Sequence, residues 1–364
     1  RMPLKDMSKP VIEAYRILTK VLDQQYNGLP VRVYPNNRPI VSAENIAKVR
    51  ELVDELNEAI SSKDTNRINE VQAQIDKLVS WSENRYDDSY PSSQAMISDV
   101  EKNNQMEFFT TGNGFGSSDV DYTGHPLLDN SNYYTTPTAA VTTDANGNEI
   151  TLLDENGQEI LIPKRLVYND VLRVVHDYIA HAASGASFVP KGEDRAWAAH
   201  VASIINEPNF TDAEKLQGIQ ALTSETRGQN TYVNFTNEYN REYVNKAREM
   251  RDEALKKGDN ARAKEIQELL DRNDYTQFSD QKVGLLGRDA LIGGYEQTSD
   301  SDAWVNNMLD TTEIYETELS DGNKNSNNVS EEVKDDFNSV LGISQQATSE
   351  TDFTGDEGEA NFNR

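Results

Sequence analysis

Three of the four histidines of this chain, His176, His181 and His200, fall within 25 residues of one another, and carboxylates accompany them. Asp177 and His181 are four residues apart and Glu193 and His200 seven apart. Those spacings are one and two turns of an α-helix, so each pair shares a helix face. Glu225 stands near the end of a third helical segment. Helices joined by short connections pack together, so these side chains can converge. Imidazoles meeting carboxylates in a helical core are how bundles build sites for zinc, iron or manganese. One spacing works against a single site. His176 and His181 are five apart, about 140° around an α-helix, so both cannot point squarely at one ion. The same residues also suit a polar helix face on which His and Glu satisfy one another. The chain has no cysteine, which excludes disulfides, thiolate metal sites and cysteine nucleophiles.

The elements that must position these groups can be read from periodicity. Leu166–Ala183 carries Val167, Val171, Leu172, Val175 and Ile179 on one side and predicts a helix. Glu193–Ile205 predicts a second. Thr211-Asp212-Ala213-Glu214 is a capping box opening a third that ends near Gly228. Upstream, Lys9 to about Gln25 predicts a helix and Val31–Tyr34 a short strand. Residues 43–80 predict a helical hairpin, capped at Ser42 and turning near Ser62-Lys63-Asp64. A helix around Ser92–Asn103 and a strand over Phe108–Thr111 follow. The Gly112–Gly116 run has no helix-forming segment after it and reads as a flexible loop, not a dinucleotide fingerprint. Residues 139–165 alternate around Asn146-Gly147 and Asn156-Gly157 and predict β-hairpins. A second charged helical hairpin spans about 240–272. The expected class is α+β, mainly α: a helical core with peripheral β-hairpins, helical-hairpin insertions and an acidic, largely irregular tail. The expected segments are 1–83, 84–165, 166–295 and 296–364.

Charge narrows the function classes. The 364 residues hold 35 Lys+Arg and 62 Asp+Glu, a net charge of -27, with a mean hydropathy of -0.74. Glu296–Arg364 contains 17 acidic and 3 basic residues, so 3 − 17 = -14 of that charge sits in 69 residues. Such a segment buries too little apolar area to offset its ordering entropy and reads as disordered or extended along a partner. No run approaches the roughly 20 apolar residues of a membrane span. Nothing supplies the positive field that phosphate neutralisation needs, so no direct nucleic-acid binding is expected. The first residues show no secretory signal pattern, and an initial arginine reads as a trimmed or processed end.

Val175-His176-Asp177-Tyr178-Ile179-Ala180-His181, Gly192-Glu193-Asp194-Arg195-Ala196-Trp197-Ala198-Ala199-His200 and Ser224-Glu225-Thr226-Arg227-Gly228-Gln229-Asn230 stand in this order. They resemble the HD-aromatic-x-x-H, GE-x-x-AW-x-x-H and TETRGQN motifs of a module found in tailed-bacteriophage virion proteins and in polyvalent proteins of phages and mobile elements. Here Ser replaces the leading Thr of the third motif. Asp23–Tyr26, Tyr90-Pro91, Ser98-Asp99-Val100, Gly124-His125-Pro126 and Phe278–Leu286 look like its flanks, so the likeness covers most of 9–287. The hairpin near 240–272 departs from the module as an insertion, and Gly287 stands where proline is frequent.

The resemblance implies a virion-associated protein, structural or internal, located in the particle and in the host cytoplasm during assembly. Its partners would be other virion proteins, met through the acidic tail and the helical hairpins. The other class is a phage-carried, metal-dependent hydrolase-like effector. The likeness runs through all five candidate ligands, His176, His181, Glu193, His200 and Glu225. Asp177 would then orient a ligating imidazole. Arg227 and Gln229 would position an anionic or amide substrate, or make surface hydrogen bonds. His125, in a loop before Pro126, forms with His176-Asp177 an order that loosely resembles metal-dependent phosphohydrolases, without the helix those proteins place around that histidine.

Overall fold

The computed structural model describes residues 9–82, 90, 92–111, 122–129, 135–188, 190–228, 247–271 and six isolated positions between 335 and 345. The expectations for the Gly112–Gly116 loop, for 229–246 and, those six positions aside, for everything beyond 271 fall outside them. The class is α+β, mainly α. No helix among the described residues is long and apolar enough to cross a membrane. The chain divides into two compact units, one drawn from Leu22–Gly114 and Asp121–Ser187, the other from residues up to Val21 and from Phe188–Phe353.

The first unit is organised by a helical hairpin lying on a sheet. Helices α2 (Ile46–Ser62) and α3 (Thr65–Leu78) turn at Lys63, whose φ of 55° is left-handed, and Asp64 caps α3 by accepting the Arg67 amide. Val49, Leu52, Val53 and Leu56 of α2 and Val71 and Ile75 of α3 form their buried stripe. They pack with Val41, Val79, Ala140, Leu152, Ile160 and Ile162 into one core. Strands β2 (Pro39–Val41), β3 (Val79–Trp81), β6 (Val141–Thr143) and β7 (Glu149–Thr151) form a sheet in the order β3-β2-β6-β7, antiparallel except at β2–β6. The cap expected of Ser42 is absent: its side chain bonds no amide, because a turn of 3₁₀ helix over Ala43–Asn45 precedes α2.

Two further strand pairs complete this unit. Strand β1 (Arg32–Pro35) runs parallel to β4 (Gln105–Phe108), and β5 (Thr135–Ala139) antiparallel to β8 (Leu161–Arg165). The strand expected over Phe108–Thr111 therefore lies three residues earlier, fed by α4 (Ser93–Asn103) through Asn104 at φ 54°. Asp144 and Asp154 close successive Asp-x-Asn-Gly turns by accepting the amides two and four residues on.

Helix α5 (Tyr168–His176) is tied to its surroundings at nearly every polar position of its first turns. Tyr168 Oη donates to Asp23 of α1 (Lys9–Asn27) at 2.7 Å. Asn169 donates its amide to the Leu127 carbonyl and its side chain to Thr111. Asp170 accepts the amides of Thr111 (2.6 Å) and Val167 (3.2 Å), and Arg173 donates to the Phe109 carbonyl. Buried groups bonded in this way hold a helix in one rotation about its axis, because leaving any of them unpaired costs free energy.

The second unit is helical. It holds the start of α1, α6 (Pro190–Ile205), α7 (Asp212–Thr223), α8 (247–256) and α9 (Asn260–Asp271). Helix α7 opens with the expected capping box, Thr211 and Glu214 each bonding the other's amide. Every residue from Leu216 to Thr223 is buried, so α7 is a central helix rather than a surface one. Ile17 and Leu18 of α1 meet it at Gly218.

Burial pushes the Asp170 carboxyl above its ordinary range, against the lowering effect of the Thr111 amide, the Arg173 charge and the Val167 amide. Burial and, more weakly, the Asp170 carboxylate charge push the Tyr26 hydroxyl up to about 12. A carboxyl whose pKa is higher folded than unfolded contributes fully below its unfolded value, about 3.9. That contribution is lost as pH rises through the folded value. The melting temperature of the native chain minus that of Asp170→Asn is expected to fall as pH rises across this window. Parallel melting curves at all pH values would show that the burial of Asp170 does not perturb its titration.

Candidate metal centre

The helix carrying the first motif does not stay α-helical. After His176, residues Asp177–Ala182 form a π-helix, and the Ala183 amide bonds the Tyr178 carbonyl five residues back. Such a turn accommodates one extra residue, so positions i and i+5 stand where i and i+4 stand in an α-helix. The objection raised by the five-residue spacing disappears. The imidazoles of His176 and His181 lie with centroids 5.2 Å apart and planes at 85°. Both are buried. Helix α4 packs against this π segment.

The chain beyond it turns back and fixes one ring. Gly185, at φ 77°, adopts a left-handed conformation that few other residues take without strain, and its amide bonds the His181 carbonyl at 2.9 Å. This brings the Ala186 carbonyl to 3.1 Å from His181 Nδ1. A carbonyl only accepts, so Nδ1 carries the proton and Nε2 presents its lone pair. Metal-binding histidines are oriented in this way, their second ring nitrogen donating to a backbone carbonyl or a carboxylate. The orienting role expected of Asp177 is filled at His181 by Ala186, and Asp177 makes no side-chain hydrogen bond among the described residues.

His176, His181 and Glu193 form a group that could hold a metal ion, each offering one ligand atom, with these atoms within 4.8 Å of one another. Two imidazoles and a carboxylate suit zinc, and also iron or manganese. His200 and Glu225, expected beside them, are not members of the group. His200 is fully buried on α6. Glu225 accepts a hydrogen bond from Tyr15 Oη at 2.8 Å within its own helical unit.

The third motif is also π-helical, over Ser224–Gly228. Around it the hydroxyls of Thr223, Ser224 and Thr226 bond the carbonyls of Ile219, Gln220 and Leu222, each four residues back. Ser184 does the same to Ala180 at the end of the first π segment. Hydroxyls that bond back in this way compete with the amide ladder and loosen α-helical register. Trp197 of the second motif donates its indole N–H to Thr223 at 2.9 Å, tying α6 to α7. Arg227 belongs to this segment, but its side chain and the whole of Gln229 lie outside the described residues.

His125 has a structural occupation. Its Nδ1 accepts the amides of Leu127 and Leu128 at 3.1 Å each, capping a turn, and its ring meets Tyr122 edge-on. The residues around it form turns, not a helix, and it is outside the candidate group. Tyr15, Asp170 and the Ala186 carbonyl were not singled out from sequence. Only Asp170, three residues after Val167 at a predicted helix start, carried a readable signal.

No protein-family model, curated protein or solved structure matches the chain. The chemistry of the site therefore rests on its own side chains.

In the native protein, ¹⁵N shifts of the His181 ring are expected to report the Nδ1–H tautomer. Gly185→Ala should cost about 1 kcal/mol through its left-handed backbone and weaken that tautomeric preference. A ring predominantly protonated at Nε2 would contradict the assigned role of Ala186.

Proposed function

We propose that this protein is a bacteriophage virion-associated component whose helical histidine module binds one divalent metal through His176, His181 and Glu193. The observation that carries the metal reading is the π turn, which places two buried imidazoles together with one already oriented by a backbone carbonyl. The phage assignment rests on the three sequence motifs and their flanks. Other virion proteins are its expected partners, with the helical hairpins and the acidic C-terminal region as contact surfaces.

A second reading is favoured by the size of the ligand set. Three protein ligands leave a fourth position open on a tetrahedral ion, the arrangement that separates catalytic zinc sites from closed structural ones. On this reading the chain is a metal-dependent hydrolase-like effector, and Arg227 and Gln229 position its substrate.

Purified protein, loaded with zinc, manganese or ferrous iron and then dialysed, should retain about one equivalent of one of these metals, the outcome expected of a single three-ligand site. His181→Ala and Glu193→Ala should lose it while keeping the helical circular-dichroism spectrum. No retained metal, with both variants folding normally, would sink the metal reading. Metal-dependent cleavage of ester or peptide reporters, abolished in Glu193→Ala, would favour the effector over the structural component.

A further inference from the structure

Strands β5 and β8 pair with Thr136 opposite Lys164 and Thr138 opposite Ile162, so these four side chains leave the ribbon on one side. Thr136, Thr138 and Ile162 are buried there, and Ile162 belongs to the core of the α2–α3 hairpin. Lys164 is therefore the one charged side chain issuing from the interior face of this ribbon. Lysine stems often run along apolar surface while the amine reaches water. Three observations set Lys164 apart from that pattern.

The first is where the amine stops. Lys164 is half-buried, and its Nζ lies 4.1 Å from the centre of the Trp81 ring on β3. The second is what it lacks. An ammonium carries N–H donors and no acceptor, yet the Lys164 side chain makes no hydrogen bond or ion pair among the described residues. The indole face replaces only part of the hydration lost. The third is the contrast with Arg165, one residue on and on the other face, whose guanidinium donates to Asn69 of α3 at 2.6 Å.

Burial lowers the pKa of this amine below the ordinary lysine range, against the Asp170 carboxylate of α5 and the Asp76 carboxylate of α3, which both favour the ammonium. Asp76 is exposed, and Asp170 is itself pushed above its ordinary range, so neither overcomes the burial. A lysine whose neutral form is favoured is a nucleophile. Acylation turns it into an amide, which removes the charge that its surroundings solvate poorly and lays an apolar group against the indole.

We infer that Lys164 is an acylation site: its amine, held against Trp81 without a hydrogen-bond acceptor, takes the acyl group of an activated donor, an acyl phosphate or a thioester. The neutral amine attacks the acyl carbonyl and a C–N bond forms. The C–O bond to phosphate or the C–S bond to the thiol breaks, and its electron pair leaves with that group. The proton lost by the amine goes to water, and no oxidant or reductant is needed. The site is independent of the histidine group.

The test is incubation of the full chain with limiting acetyl phosphate or, separately, with a simple acetyl thioester, followed by quantitative peptide mass spectrometry. At neutral pH Lys164 should be acetylated at least about threefold faster than the exposed Lys63 and Lys77. Each unit of pKa lowering raises an amine's neutral fraction about tenfold, and partial burial, by slowing access, takes back some of that gain. The ratio should shrink as pH rises into the lysine range, where the exposed amines also lose their protons. The donor that reacts faster identifies the source of the acyl group. Asp76→Asn removes a charge that favours the ammonium from an exposed position, so it should raise the Lys164 rate and leave that of Lys63 unchanged. Lys164 modified no faster than Lys63 and Lys77 by either donor would overturn the inference. So would a ratio that stays constant as pH rises, or a Lys164 rate lowered in a folded Asp76→Asn.

Discussion

An α-helix cannot aim residues five apart at one point, and His176 and His181 are spaced in that way. The π turn over Asp177–Ala182 resolves the conflict by accommodating one extra residue, and the rest of the first unit acts to keep that turn in place. Upstream, Tyr168, Asn169, Asp170 and Arg173 bond α5 to α1, to the Leu127 turn and to the segment ending at Thr111. Downstream, Gly185 reverses the chain so that Ala186 can fix the His181 ring. A single extra residue in a helix sacrifices regular hydrogen bonding, and such turns concentrate at functional sites.

The second unit repeats the device. Its π segment, Ser224–Gly228, follows a helix buried on all sides, and its Glu225 is held by Tyr15 from α1. Back-bonding hydroxyls accompany both π segments, which gives the two motifs a common physical basis in serine and threonine as well as in histidine and glutamate. His125, by contrast, shows how a histidine in a suggestive order can have its Nδ1 occupied in capping a turn.

Much of the fold was legible in the residues. The hairpin α2–α3, helices α6 and α7 and the Asn-Gly turns follow from apolar periodicity, the Thr211–Glu214 box and left-handed turn positions, all of them local signals. Ser42 misled because a 3₁₀ turn displaced the true helix start, and the strand near Phe108 shifted because pairing with β1, a long-range contact, sets its register. At the site, residue types put His176, His181 and Glu193 among five candidate ligands, and these three form a group that could hold a metal ion, yet α-helical geometry argued against the first two sharing it. The Ala186 carbonyl was illegible, since a backbone acceptor leaves no mark on residue type.

The central claim is that the π turn makes His176 and His181 ligands of one ion. X-ray absorption at the zinc edge of the zinc-loaded full chain tests it most directly. The expected spectrum shows two imidazole scatterers among nitrogen and oxygen ligands at about 2.0–2.1 Å. A bound zinc whose ligand shell contains no imidazole, or one only, would contradict it.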